Sequence, residues 1–97
     1  MIKLLLTLEK ERRELCFDAA DLSIGRSSEN GFAIPDRRLS RRHARIVSDG
    51  LGFVLTDLGS ANGTWLNSRR VASERLVQGD EIRVGPAILH VLALRSS

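Results

Sequence analysis

The sequence predicts an all-β fold: a two-sheet antiparallel β-sandwich of about 10–11 short strands, with its binding loops gathered at one end. Two observations carry this prediction. Short apolar segments recur along the chain, and turn-forming residues punctuate them at intervals that suit strands. No window of about eleven residues repeats its apolar positions with a helical period.

Ile2, Leu4, Leu6 and Leu8 alternate with Lys3 and Thr7 as a first strand. Lys10-Glu11-Arg12 reads as the turn and Glu14 to Phe17 as the returning strand. Leu22-Ser23-Ile24 leads into Gly25-Arg26, and Phe32-Ala33-Ile34 is a brief strand stopped by Pro35. Ala44 to Ser48 and Phe53 to Thr56 pair across an Asp49-Gly50 turn. Trp65-Leu66 and Arg70-Val71 flank Asn67-Ser68-Arg69 as a tight hairpin. Glu81 to Val84 and Ala87 to Leu94 form the last pair across Gly85-Pro86. The second of these is apolar enough for a buried helix, but the preceding Gly-Pro and its Ile and Val favour a strand.

A chain of 97 residues with 42% hydrophobic content fits one domain, residues 1–97, with a real but modest core. The terminal Arg-Ser-Ser reads as a short tail or as the stub of a longer protein. Cys16 is the only cysteine, so no internal disulfide forms, and with only His43 and His90 beside it a four-ligand zinc site is out of reach. Leu4-Leu5-Leu6 is closed by Glu9, Lys10 and Glu11, too short a run for a signal peptide or a membrane span. These readings place the domain in the cytoplasm, as a monomer with no cofactor, no metal and no membrane. The net charge of +3 is mild and of the sign that suits an acidic partner.

The chemistry concentrates in three loops. Arg37-Arg38-Leu39-Ser40-Arg41-Arg42-His43 crowds guanidinium groups around one hydroxyl. Arginine binds phosphate oxygens through two parallel charge-assisted bonds and keeps its charge at neutral pH. Gly25-Arg26 ends a strand, where glycine permits a sharp turn and the arginine projects from a loop. Asp57-Leu58-Gly59-Ser60-Ala61-Asn62-Gly63-Thr64 carries an Asn-Gly turn signal, and an asparagine amide at a loop tip can both donate to and accept from an extended peptide backbone.

Taken in order, Gly25-Arg26, Ser40-Arg41-Arg42-His43, Asp57 to Thr64, and Leu76 with Gly79-Asp80-Glu81-Ile82 and Gly85 resemble the forkhead-associated (FHA) domain family, a phosphothreonine-binding β-sandwich. The resemblance runs from about Leu22 to Val91. It implies that Arg26 grips the phosphate, that the Ser40 hydroxyl donates to it and that Arg41 supplies a further contact. It implies that Asn62 holds the peptide main chain. His43 resembles a buried histidine that pins the central loop, and Gly25, Gly63, Asp80 and Gly85 match framework positions. Ala61 departs from the pattern: many members carry a longer polar side chain there, and alanine offers only its backbone amide. Arg38, two residues before Ser40, is expected to favour an acidic residue a few positions after the phosphothreonine. The function implied is a phosphothreonine-dependent protein–protein interaction module in kinase signalling, not an enzyme.

Two other classes compete. Ser40, His43 and Asp57 are the residue types of a hydrolytic triad, but no Gly-x-Ser-x-Gly context surrounds Ser40. The arginine-rich loop suits nucleic acid, but Phe17, Phe32, Phe53 and Trp65 are the only aromatic residues and most fall in strand patterns, so stacking platforms are scarce and nucleic acid is not the expected partner.

Overall fold

The computed structural model describes residues 1–95; Ser96 and Ser97, the end of the expected tail, lie outside the described residues. Eleven strands follow in order: β1 (Ile2–Leu8), β2 (Glu11–Phe17), β3 (Asp21–Gly25), β4 (Phe32–Ala33), β5 (Ala44–Ser48), β6 (Phe53–Asp57), β7 (Thr64–Leu66), β8 (Arg69–Arg70), β9 (Ser73–Arg75), β10 (Glu81–Val84) and β11 (Ala87–Leu94). They form a six-stranded sheet in the order β2-β1-β11-β10-β7-β8 and a five-stranded sheet in the order β4-β3-β5-β6-β9. The all-β sandwich expected from the sequence is the fold found. No helix of the described residues is long and apolar enough to cross a membrane.

The inward faces follow the period-two pattern of the sequence. Ile2, Leu4 and Leu6 of β1 and Leu89 and Val91 of β11 meet Leu22, Ile24, Ile46 and Leu55 of the other sheet in one buried core. Each such side chain contributes about 1.5–3 kcal/mol by leaving water. At one margin Phe17 of β2 packs on Phe32 of β4, ring centroids 5.3 Å apart, and so ties the two sheets together.

Several details depart from the sequence reading. The first turn is Glu9-Lys10 rather than Lys10 to Arg12, and β2 begins at Glu11. Glu9 takes φ 57°, which places the reversal one residue earlier. The β7–β8 turn is Asn67-Ser68, with φ of 50° and 68°, the geometry that matches the twist of a two-residue hairpin. The Asn67 amide then bonds Asp80 at 2.9 Å and receives the Glu81 amide at 2.9 Å, which fixes this hairpin to the start of β10. The β3–β4 pair is parallel, an exception in an otherwise antiparallel sandwich. Strand β9 was not anticipated: Ser-Glu-Arg is exposed throughout and has no apolar alternation to read.

Candidate functional site

The loops between β3 and β4, β4 and β5, and β6 and β7 meet at one end, held by backbone bonds that prolong the five-stranded sheet. The Arg26 amide donates to the Ser40 carbonyl at 3.0 Å, the Ser27 amide to Arg41 at 3.2 Å and the His43 amide to Ile24 at 2.9 Å. Arg26 thus leaves the backbone directly beside Ser40. Gly25 is needed for this approach, and not for the turn expected of it: a Cβ there would run into the Arg41 carbonyl and would lie 2.8 Å from Asn30 Nδ2. Asn30 completes the splice by donating through Nδ2 to Ser27 O at 2.8 Å and Arg41 O at 2.7 Å.

Behind this loop sits His43, 0% exposed. The Ser40 amide donates to its Nδ1 at 3.1 Å, so Nδ1 is the unprotonated nitrogen and Nε2 carries the hydrogen. Nε2–H then donates to the Gly63 carbonyl at 2.7 Å. One imidazole therefore braces the Ser40 loop against the Asn62 loop. Leu39, 2% exposed, anchors the same loop in the core.

The β6–β7 loop is organised by Asp57. Its carboxylate receives the amides of Gly59 and Ser60, each at 3.1 Å, and the hydroxyls of Ser60 at 2.5 Å and Thr64 at 2.7 Å. Burial pushes its pKa up, but these donors outweigh burial and hold it below the ordinary carboxylate value. Ser60 Oγ in turn receives the Gly63 amide at 2.9 Å. Gly59 and Gly63, at φ 73° and 89°, are the left-handed residues of this loop, while Asn62 is not among the positive-φ residues. The Asn-Gly pair is thus a loop tip rather than a hairpin turn.

The expected site residues fall at this end, with side chains in distinct states. The Ala61 amide donates to Ser40 Oγ at 3.0 Å. The hydroxyl accepts there and keeps its own hydrogen free to donate, while the one donor Ala61 offers is already committed. Arg26, Arg37, Arg41 and Arg42 are exposed, and among the described residues no carboxylate pairs with any of them. Arg38 differs. Its Nε and Nη2 donate to the two oxygens of Asp36 at 3.0 and 2.8 Å, and Glu9 lies 3.8 Å away. The Arg38 side chain and amide hold the Asp36 carboxyl down at about 2. The guanidinium expected to reach for a peptide acid holds an internal one, and the Arg38 carbonyl receives Asn62 Nδ2 at 2.8 Å.

No triad forms from Ser40, His43 and Asp57. His43 bonds two backbone groups, and Asp57 bonds Ser60 and Thr64 on the far side of the loop. Asn30, Asp36, Ser60 and the pair Trp65 and Arg83 were missed as parts of this end. Their signals lie in hydrogen bonding and cross-strand register, which spacing along the chain does not display.

The FHA domain family model matches residues 22–85. FhaA of Mycobacterium tuberculosis, an FHA domain-containing protein, is 45% identical over 62 residues, 64% of this chain and 12% of FhaA. The glycogen accumulation regulator GarA of Mycolicibacterium smegmatis is 38% identical over 68 residues, 70% of this chain and 43% of GarA. The chain thus spans less than half the length of either relative. A solved structure from work on phosphothreonine-dependent FHA domain interactions superposes with a TM-score of 0.81 at 35% identity, over 94% of this chain and 96% of its own. With the matched span covering most of β3 to β10 and every site loop, the chain belongs to the FHA domain family.

Proposed function

We propose that residues 1–97 act as one phosphothreonine-binding module that docks phosphorylated segments of partner proteins. Arg26 and Arg41 grip the phosphate, the Ser40 hydroxyl donates to it, and the Asn62 amide holds the peptide backbone alongside. The carrying observation is the arrangement at Ser40: a hydroxyl with its hydrogen free, beside Arg26 and Arg41, with which no carboxylate of the described residues pairs. A phosphothreonine brings about −1.5 to −2 charges and three acceptor oxygens. Each charge-assisted bond contributes about 1.5–3 kcal/mol. Two or three of them with Asn62 give about −8 kcal/mol after association entropy is subtracted, which is micromolar binding.

Ala61 fits this role without assisting the phosphate, because its amide serves Ser40. The domain works by binding and not by catalysis, which is in keeping with the regulator GarA among its relatives. Its setting is kinase signalling in the cytoplasm, where the lone Cys16 stays reduced. The test is a degenerate phosphothreonine peptide library probed beside its unphosphorylated twin. Selective retention of phosphorylated sequences is the expected result, and equal retention of both overturns the proposal.

A further inference from the structure

Beside Asn62 the surface opens into a groove of about 330 Å³ lined by Arg38, Asn62, Trp65, Arg83 and Gly85. Trp65 and Arg83 are cross-strand partners on β7 and β10, and their side chains share the outer face of the six-stranded sheet. The Arg83 guanidinium lies over the indole, 5.0 Å from its centroid. Trp65 is itself fixed by its Nε1–H, which donates to the Asn62 carbonyl at 3.3 Å. This cation–π stack holds the guanidinium in place without neutralising it. No carboxylate of the described residues pairs with Arg83, and Glu81, two positions back on the same strand, is engaged by His90 Nε2 at 3.2 Å. Arg38, the other cation of the groove, is forked onto Asp36. The groove therefore holds two arginines, of which one is already paired.

We propose that Arg83, positioned on Trp65, is the residue of this chain that selects an acidic side chain flanking the phosphothreonine, and that Arg38 is not. The inference rests on the phosphopeptide reading above, since the occupant is the bound peptide as it continues past Asn62. An extended peptide advances about 3.3 Å per residue, so a residue a few places from the phosphothreonine enters a groove that begins at Asn62. A peptide carboxylate reaching Arg38 has to compete with an internal carboxylate already bound through two oxygens, whereas one reaching Arg83 displaces only water. An exposed ion pair of this kind changes affinity by about two- to five-fold.

The experiment is calorimetry with one phosphothreonine peptide carrying Asp or Ala in turn at each of the four positions on either side. It is run on the wild-type chain, Arg83→Gln and Arg38→Gln, and the Asp/Ala affinity ratio within each protein is the readout. Expected is a ratio of about two- to five-fold at one or two adjacent positions in the wild type. That ratio falls to about one in Arg83→Gln and persists in Arg38→Gln. A flat wild-type scan, a ratio that survives Arg83→Gln, or one that vanishes in Arg38→Gln overturns the proposal. The unphosphorylated Ala peptide separates the two levels. If it binds as well as its phosphorylated form, the phosphopeptide reading itself has failed; if phosphate dependence is present and the scan is flat, only the assignment to Arg83 falls.

Discussion

His43 and Ser40 stand three residues apart and do different work. The imidazole is buried and joins two loops through its two nitrogens, whereas the Ser40 hydroxyl is at the surface and makes one bond, to Ala61. Replacing His43 with alanine strands the Ser40 amide and the Gly63 carbonyl, at a cost of about 1–3 kcal/mol. For a domain of this size that lowers the melting temperature by at least about 4 °C, and binding falls with it as the loops lose their brace. Ser40→Ala is expected to weaken phosphopeptide binding and leave the melting temperature within about 2 °C of wild type. Thermal melts of the two variants in parallel decide the matter: two wild-type melts would remove the bracing role of His43. A matched pair of peptides provides a second check, since the threonine methyl, if buried beside the phosphate, contributes about 1 kcal/mol, a preference of about five-fold over phosphoserine. That the loops carrying Arg26, Ser40, Arg41 and Asn62 meet at one end was legible because their order and spacing carry the family pattern. The Arg38–Asp36 pair was not, because any surface arginine has several carboxylates within reach and sequence does not say which it takes.

The β6–β7 loop behaves as a unit built on one carboxylate. Asp57 is depressed below its ordinary value by donors from Ser60, Thr64 and Gly59. A depressed carboxylate adds stability that is present above its unfolded pKa, about 3.9, and is lost as pH falls through the folded value. Asp36 and Asp49, both held at about 2 by arginine partners, act in the same direction. The melting temperature is therefore expected to be insensitive to these groups above about pH 5 and to fall between about pH 4 and 2. Asp57→Asn should flatten part of that fall and should also reduce phosphopeptide binding at pH 7, although Asp57 lies behind the site. Melts across the acid range together with one titration at neutral pH check both; an unchanged affinity would mean that the loop holds its shape without the carboxylate. The strands divide by the same logic of burial. Those that face the core, such as β1, β5, β6 and β11, carry a period-two pattern and were readable. Strands β8 and β9 are edge strands with exposed residues and no period to read, so β8 was found only through its turn, one residue late, and β9 not at all. The parallel β3–β4 pair escaped for a related reason, since alternation sets which face is buried but not which way a neighbour runs.

The whole molecule separates its tasks by position. Two sheets share one apolar core, and the chain spends its polar chemistry at one end, where Gly25, His43 and Asp57 fix the loops and, among the described residues, no carboxylate pairs with Arg26 or Arg41 beside Ser40. Other arginines are matched on the body of the sandwich, Arg45 with Asp21 and Arg75 with Asp49. A positive end also draws anions from a distance, so association with an acidic peptide should slow as salt rises. Binding is expected to require a phosphate held by Arg26. Calorimetry of one phosphothreonine peptide and its unphosphorylated twin against wild type and Arg26→Ala tests it most directly. The expected result is micromolar affinity for the phosphorylated peptide on the wild-type domain, no measurable heat with the twin, and a loss of at least about 100-fold in Arg26→Ala, which folds and melts as the wild type does. Equal affinity for the two peptides, or full affinity in the folded variant, would contradict it.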